Sequence, residues 1–549
     1  AAAEYFGLPS VLEDRRGLRL AEDHPVVKQT TGAGWKLTGR GFGPWTRLYR
    51  PIKTKGERRQ CVQLAILPWK ALAPRAWGAA DQLPPPDLAD LLGTYAERVI
   101  TPLGSTGVCG LELLTRLRPA TRAVQDETGA WVSAPNPEGL SEPVDPAPPE
   151  ARPEHPLAQG WEGGFLEEEA FEWVRDPALL SAEERGMPWV VGLDINAAFL
   201  AAAASLTVGL SEPVHYVRPR FDRKAVGCWL VDLSHIELDP RLPNPFTKTG
   251  QRPRGPAWYA TPTIEYAVQL GHPVEPLEAY LRTRTGPYLK PWYDRLSNAY
   301  TAAMADLGIT KDLDAGAFLA PMALHQLLKG ADAGNLDAVR RLAAEREALA
   351  GPPELTEALK TRGQQPMRLL LADPNVLEHL ATADDDALLD LIDRHQRTAM
   401  GFSAIKQTAK DTIGKLREGP RGLHYEMGER WPALERPTWR PDIRAMVISK
   451  ARINMHRKMA KLAELTGAYP LGVLSDCAAY PAASPFPADL LPPSTNPQTG
   501  RPSGTFRLGV TPGLAKHEGT QTMTWALDLM KQGYNPARHI KGEPAATGE

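Results

Sequence analysis

Cysteine is scarce in this chain: there are four, Cys61, Cys109, Cys228 and Cys477, among 549 residues. None forms a Cys-x-x-Cys pair with another. That argues against a zinc ribbon and a disulfide scaffold, and it suits a reducing cytoplasm. Long apolar runs are missing as well. The nearest candidate, Ala197–Leu210, is alanine-rich and falls short of the ~18 residues that span a bilayer. An integral membrane protein built of helices is therefore excluded, and no membrane partner is expected. No signal peptide is visible, although the first residue is not Met. An excess of one charge is also lacking: 63 basic and 65 acidic residues leave a net charge of -2, which on average argues against a nucleic-acid partner. What the chain does have is length and apolar content, 42%, enough for several domains or one multi-lobed enzyme.

The even charge balance conceals a split. Val132–Val190 holds 13 acidic against 3 basic residues, whereas Gly401–Pro470 holds 14 basic against 7 acidic. A basic stretch in a neutral chain can track phosphates locally; it can equally be a solvated helix face. The 53 prolines fall largely in connecting segments.

Periodicity outlines a mixed α+β chain. Residues 1–132 read as a mixed α/β module, with a buried strand from Cys61 and a helix over Asp87–Val99. Residues 133–160 are a Pro/Glu-rich linker: positions 133–156 carry eight prolines and five acids with almost no apolar residues. A short acidic helix is expected over Glu167–Arg175. An apolar strand then runs from Trp189 into Asp194, followed by a helix over Ala197–Ser205. Residues 211–262 are rich in strands and turns, Cys228–Asp232 being the clearest. Helical periodicity dominates 263–416, over Thr263–Leu270, Ala317–Lys329, Leu336–Ala350, Pro353–Lys360 and Asp386–Arg397. A long helix is expected over Asp442–Leu465, then a strand over Leu471–Leu474 that leads to Asp476. A Pro-rich loop, Pro485–Pro502, precedes a strand over Thr505–Val510 and a helix over Thr520–Gln532. No internal repeat is evident.

Three constellations could carry chemistry. Asp194 stands at the end of an apolar strand, where a carboxylate can project from a sheet edge as a metal ligand or simply cap the next helix. Asp476 repeats the pattern about 280 residues later, and the two meet if their strands are sheet neighbours. Cys477 has no His nearby in sequence and suits a buried structural role. Between them, Lys406, Lys410 and Gly414 recur at helical spacing. They put cations on one face and leave room at Gly414 for something bulky. The acidic run Thr382–Asp386 fits a helix N-terminus better than a metal cluster.

In this order, Asp194, Lys406 with Gly414, and Asp476 resemble motifs A, B and C of the family B DNA polymerases, and the segments Trp258–Val268 and Leu508–Gly519 resemble parts of its protein-primed members. Phe199 stands where the family has a motif A tyrosine. Leu474 occupies the place of the first motif C aspartate. Further blocks, Arg40–Trp45, Gly104–Gly107, Arg440–Arg444, Asn454–Lys458 and Asn535–Gly542, resemble the Tap family of telomere-associated proteins of linear Streptomyces chromosomes and plasmids. That resemblance covers nearly the whole chain. It implies a right-hand, polymerase-like α+β fold with an antiparallel palm sheet: palm over 161–262 and 417–519, a helical fingers insertion over 263–416 ending in motif B, and a thumb-like segment over 520–549. It also implies a bacterial, nucleoid-associated cytoplasmic protein that works with a terminal protein on a telomeric 3′ single strand or primer-template, using dNTPs.

Under the resemblance, two Mg²⁺ ions, or Mn²⁺ in their place, would be held by Asp194 and Asp476 with help from the Ile195 carbonyl. Lys406, joined by Arg397 and Lys410, would grip the triphosphate. Gly414 would admit the templating base pair, and Phe199 would stack beneath the sugar or serve in core packing. Lys516, His539, Lys541, Lys415 and Arg452 would hold DNA phosphates. No Asp-x-Glu in a strand context precedes residue 190, so no exonuclease site is expected in 1–132. Two other readings compete. One is a non-catalytic telomere-binding adaptor that recruits the terminal protein, favoured by the missing motif C aspartate. The other is an archaeo-eukaryotic-type primase, disfavoured because Leu233-Ser-His235 lacks the Ser-x-His spacing.

Overall fold

The computed structural model describes residues 19–541 apart from 40, 51, 53–59, 312, 314–318, 333, 345–373, 421–424, 494, 496–499 and 501–502. The helix expected over Pro353–Lys360 lies outside the described residues.

The architecture is mixed α+β with antiparallel sheets. A three-stranded sheet opens the chain, β1 (Lys36–Leu37), β2 (Trp45–Arg50) and β3 (Gln60–Ala65). A two-stranded hairpin follows, β4 (Thr121–Gln125) with β5 (Trp131–Pro135). The central sheet has the order β16-β7-β15-β14-β6. It is built from β6 (Glu172–Val174), β7 (Trp189–Ile195), β14 (Gly472–Leu474), β15 (Cys477–Ala482) and β16 (Ala515–Thr522), every pair antiparallel. A four-stranded sheet, order β11-β10-β12-β9, comprises β9 (Pro213–Val217), β10 (Val226–Asp232), β11 (Pro256–Ala260) and β12 (Glu278–Arg282). Short strands β8 (Val208–Gly209) and β13 (Thr285–Gly286) pair beside it.

β7 is a near-continuous apolar run because both of its faces are covered. Leu193 packs with Met459, Leu462 and Val473 on one side, and Val190 with Met523, Ala526 and Ile540 on the other. Each such side chain contributes about 1.5–3 kcal/mol when fully buried. Gly192 permits the second layer: a Cβ there would lie 2.8 Å from Ile540 Cγ1. The 26-residue helix Pro441–Thr466 runs between the two large sheets. Met455, Met459 and Leu462 face the central sheet, Ile453 the four-stranded one, and Ile443, Met446 and Val447 the helical core. A helix buried on so many sides has no single apolar stripe.

The helical region turns on Asp385–Lys415, 31 residues long, whose N-cap Asp384 accepts a bond from the Ala387 amide. The acidic run at its start is thus a helix N-terminus. This helix packs tightly on Thr106–Leu117. A Cβ on Gly110 would sit 1.7 Å from Thr412 Oγ1, so only glycine allows the approach. Tyr95, on the preceding helix Pro85–Arg98, bonds Thr408 of the long helix at 2.7 Å.

Several expectations need correction. Residues 133–160 are not a free linker. Pro149, Glu150, Ala151 and His155 are buried, and His155 stacks on Trp439 with ring centroids 5.2 Å apart. The acidic stretch 167–175 forms no helix; its Glu172–Val174 part is strand β6, which pairs with β14. The strand from Cys61 exists, but its first half is exposed. Thr505–Val510 forms only a single bridge, Leu508 to Ala515. The last long helix starts at Met523, because Thr520–Thr522 still belong to β16. The helices over Asp87–Val99, Thr263–Leu270 and Asp442–Leu465 are observed within two residues of their expected ends.

Candidate active site

Register places the two aspartates together. Asp194 ends β7 opposite Cys477 of β15 and opposite Lys516 of β16. Asp476 lies in the two-residue loop joining β14 to β15, since Leu474 pairs directly with Cys477. Tight hairpins of this kind favour positive φ at the first loop position, and Ser475 takes it at φ 55°. Its amide bonds the Phe171 carbonyl at 2.7 Å. On the other strand Ala197 has φ 44°, so a left-handed non-glycine residue lies close to each carboxylate. Such strain persists only where the surroundings hold it. The Ile195 amide donates to the Asp476 carbonyl at 2.9 Å, tying the two together.

The groups around this pair form a charged cluster. Lys516 Nζ lies 2.6 Å from Asp194 Oδ2 and 2.6 Å from Glu518 Oε2, and Lys541 pairs with the other Glu518 oxygen. Glu518 is the extra residue of a β-bulge between His517 and Gly519, a device that re-aims a side chain. Burial and the nearby Asp476 carboxylate push Asp194 up to about 8 against the pull of Lys516. Burial also raises Asp476. Burial alone would raise Glu518, but the Lys516 and Lys541 ammoniums hold it below the usual carboxylate range. Lys516 is raised well above its ordinary value, because Asp194 and Glu518 outweigh its burial. Lys406 reaches the open cleft, yet desolvation by the cleft walls and the Lys516 ammonium bring it down to about 8.

Two cavities flank the cluster and share Phe199. One, of about 480 Å³, is lined by Ile195, Ser475, Asp476, Lys458 and Arg507. Burial and Arg507 lower Lys458 to about 8. The other, of about 690 Å³, holds Lys410 and Gly414 on its wall, and the place a Gly414 Cβ would fill is open space. Lys410 and Gly414 therefore share one cavity wall, and Lys406 stands one turn earlier on the same helix.

The remaining candidate residues are engaged by other partners. Arg397 ion-pairs with Asp87; nine residues before Lys406, it faces the opposite side of the helix. Arg452 is buried and bonds Glu168, the Glu169 carbonyl and the Pro245 carbonyl, so it braces the core where it lines the 480 Å³ cavity. Lys516 is committed to the carboxylates instead of a phosphate groove. Lys415 pairs with Glu418 at 2.6 Å, Lys541 with Glu518, and His539 stacks edge-on to Tyr534. Cys477 is buried, as a structural cysteine would be.

Two participants were not anticipated. Glu518 depends on a bulge that no spacing rule reveals. Asn196 is buried and bonds the Gly509 carbonyl at 2.6 Å and Tyr300 at 3.1 Å, anchoring the loop before β16; its position two residues after Asp194 was the available signal. Among the described residues, no three His, Cys, Asp or Glu side chains form a ready metal cluster, and no helix is long and apolar enough to cross a membrane.

A family model described as a domain of unknown function (DUF8841) matches residues 1–105. No curated protein matches the chain. Among solved structures, the chain is similar to Phi29 DNA polymerase with primer-template DNA and incoming nucleotide substrates. The TM-score is 0.37 and the identity 10%, over 90% of this chain and 74% of that one. The Phi29 binary complex with primer-template DNA gives 0.35, 10%, 90% and 73%, and its complex with single-stranded DNA gives 0.35, 9%, 92% and 72%.

Proposed function

We propose that this chain is a nucleotidyltransferase of the DNA polymerase or primase type, acting at the ends of linear replicons together with a terminal protein. One observation carries the reading: Asp194 and Asp476, from distant parts of the sequence, meet at neighbouring positions of one antiparallel sheet, beside the cationic face of the helix that carries Lys406. Two buried carboxylates, Asp476 raising the proton affinity of Asp194, are a donor set suited to hard divalent ions. Asp194 and Asp476 would hold Mg²⁺, or Mn²⁺. When bound, the ions would activate the attacking hydroxyl and neutralise the leaving pyrophosphate.

The chain's own residues do the rest. Lys406, on the helix face open to the cleft, would meet the triphosphate as a point charge. Lys516 balances the carboxylates and keeps the cluster folded while it waits for substrate. Phe199, between the two cavities, would sit beneath the sugar. Gly414 leaves space for a base pair. In the reaction a hydroxyl oxygen of a DNA end or of the terminal protein bonds the α-phosphorus, the bond to pyrophosphate breaks, and the hydroxyl proton leaves to solvent.

The test is transfer of labelled dNMP from dNTP, with Mg²⁺ or Mn²⁺, onto a primed telomeric strand and onto terminal protein in separate reactions. Label on either supports the reading. Label on neither, with telomeric single strands still bound, favours the adaptor. Two observations support that second reading: Leu474 stands in place of a motif C aspartate, and Lys516 already occupies Asp194.

A further inference from the structure

The 690 Å³ cavity has a composition unlike the rest of the cleft. Its walls hold six cations, Arg75, Arg152, Lys410, Lys415, Arg417 and Arg444, against three carboxylates. They come from separate parts of the chain: the N-terminal module, the Pro-rich segment, the end of Asp385–Lys415 and the start of Pro441–Thr466. Arg152 is held by Glu154 at 2.9 Å, and Arg444 by both oxygens of Glu169 at 2.8 and 2.9 Å. Arg417 stands between them. Among the described residues, its guanidinium has no hydrogen-bond acceptor and no ion-pair partner. Desolvation and the flanking Arg444 and Arg152 guanidiniums lower it to about 10. Three guanidiniums gathered around a cavity, the middle one half-buried and without a bonded carboxylate of its own, make a wall that attracts an anion.

We propose that Arg152, Arg417 and Arg444 form a binding site for the phosphodiester backbone of a nucleic-acid strand, passing beside Gly414 to the carboxylate pair. Three features favour a strand over a single free phosphate. The cations lie on several walls instead of converging on one point, which suits successive phosphates. The cavity is far larger than one phosphate, and it adjoins the carboxylate site through Phe199. The strand's identity as template rests on the polymerase reading; the phosphate site does not. Arg152 belongs to the segment whose composition reads as a linker, so that segment becomes a wall of the strand's path.

The experiment uses the full chain and a fluorescein-labelled oligothymidylate of about 20 nucleotides, with anisotropy read across a salt series. Arg417→Gln removes a guanidinium that no partner depends on, so the fold is retained. It should weaken binding about fivefold at ~0.1 M salt and lower the log–log salt slope by ~0.7, the increment of one phosphate contact on a single strand. Arg417→Lys should recover part of the loss, and Arg444→Gln, which also frees Glu169, should weaken binding further. Competition with inorganic triphosphate should be equal in wild type and Arg417→Gln. Unchanged oligonucleotide affinity in Arg417→Gln would overturn the proposal, as would loss of triphosphate competition with strand binding intact, which marks a free-phosphate site. If the strand effect holds while wild type incorporates no nucleotide, the polymerase reading falls and this site stands.

Discussion

Lys516 bonds two carboxylates at once, so removing its ammonium leaves Asp194 and Glu518 facing Asp476 with little compensation. Lys516→Ala should lower unfolding free energy by about 3 kcal/mol, the usual cost of breaking a mostly buried pair from one side, as measured by urea denaturation. The same change should make Mn²⁺ raise the melting temperature more than it does in wild type, because the ion then replaces a missing cation. An equal shift in both proteins would mean that the metal does not visit these carboxylates. Histidines give a second prediction at this scale. Burial holds His456, bonded to Tyr266 at 2.8 Å, down at about 3, and it likewise holds His325 at about 3. A histidine whose folded value lies below its unfolded one must be charged on unfolding in acid. Its contribution is therefore complete above pH ~6.5 and shrinks as pH falls towards 3. Each should add a slope of about 1.4 kcal/mol per pH unit across that window. Urea midpoints at pH 7 and 5 check this, and His456→Gln should reduce the slope.

At the scale of elements, the helix pair Thr106–Leu117 and Asp385–Lys415 sets where Lys406, Lys410 and Gly414 stand. Gly110→Ala should push the helices apart and cost about 2 kcal/mol. Adding Thr412→Ala removes the atom 1.7 Å away and should recover part of the loss, a coupling that a double-mutant cycle measures. The same scale explains what was legible beforehand. Asp194 and Asp476 could be read because an uninterrupted apolar run ending in a carboxylate is a local pattern, and Lys406 with Gly414 because helical spacing is local too. Glu518 could not, since its direction comes from a bulge set by pairing with β7. Arg397 and Arg452 carry the right charge for phosphate, but the partners that claim them, Asp87 and Glu168, lie hundreds of residues away in sequence. Residues 167–175 read as helix because nothing in their own composition announces pairing with β14.

Across the whole molecule, the segment 133–160 binds lobes together. Arg282 bonds Glu150 at 2.7 Å and approaches Asp442 at 3.2 Å, while Arg440 bonds Asp442 at 2.8 Å and the Gly209 carbonyl at 2.8 Å. This buried, charge-balanced network joins the Pro-rich segment, the four-stranded sheet and the Pro441–Thr466 helix. Proline and glutamate content suggested solvation, but a carboxylate paired with a buried arginine is satisfied without water. Glu150→Ala should cost about 3–5 kcal/mol, and limited proteolysis should cut within 140–160 in the variant but not in the wild type. The charge split acquires a shape at this scale as well: Asp145, Glu168 and Glu169 pair with Arg430, Arg452 and Arg444 of the basic stretch, while Glu138, Glu150, Glu154, Glu167 and Glu172 pair with arginines and a lysine elsewhere in the chain.

If the proposed function holds, Asp194 and Asp476 act as one catalytic pair. The most direct measurement is primer extension on a telomeric template with Mg²⁺ or Mn²⁺, comparing wild type with Asp194→Ala and Asp476→Ala at matched strand binding. Each change should lower incorporation by about a thousandfold or more, and the double variant should be no worse than either single one. Incorporation that survives both substitutions would contradict the pairing.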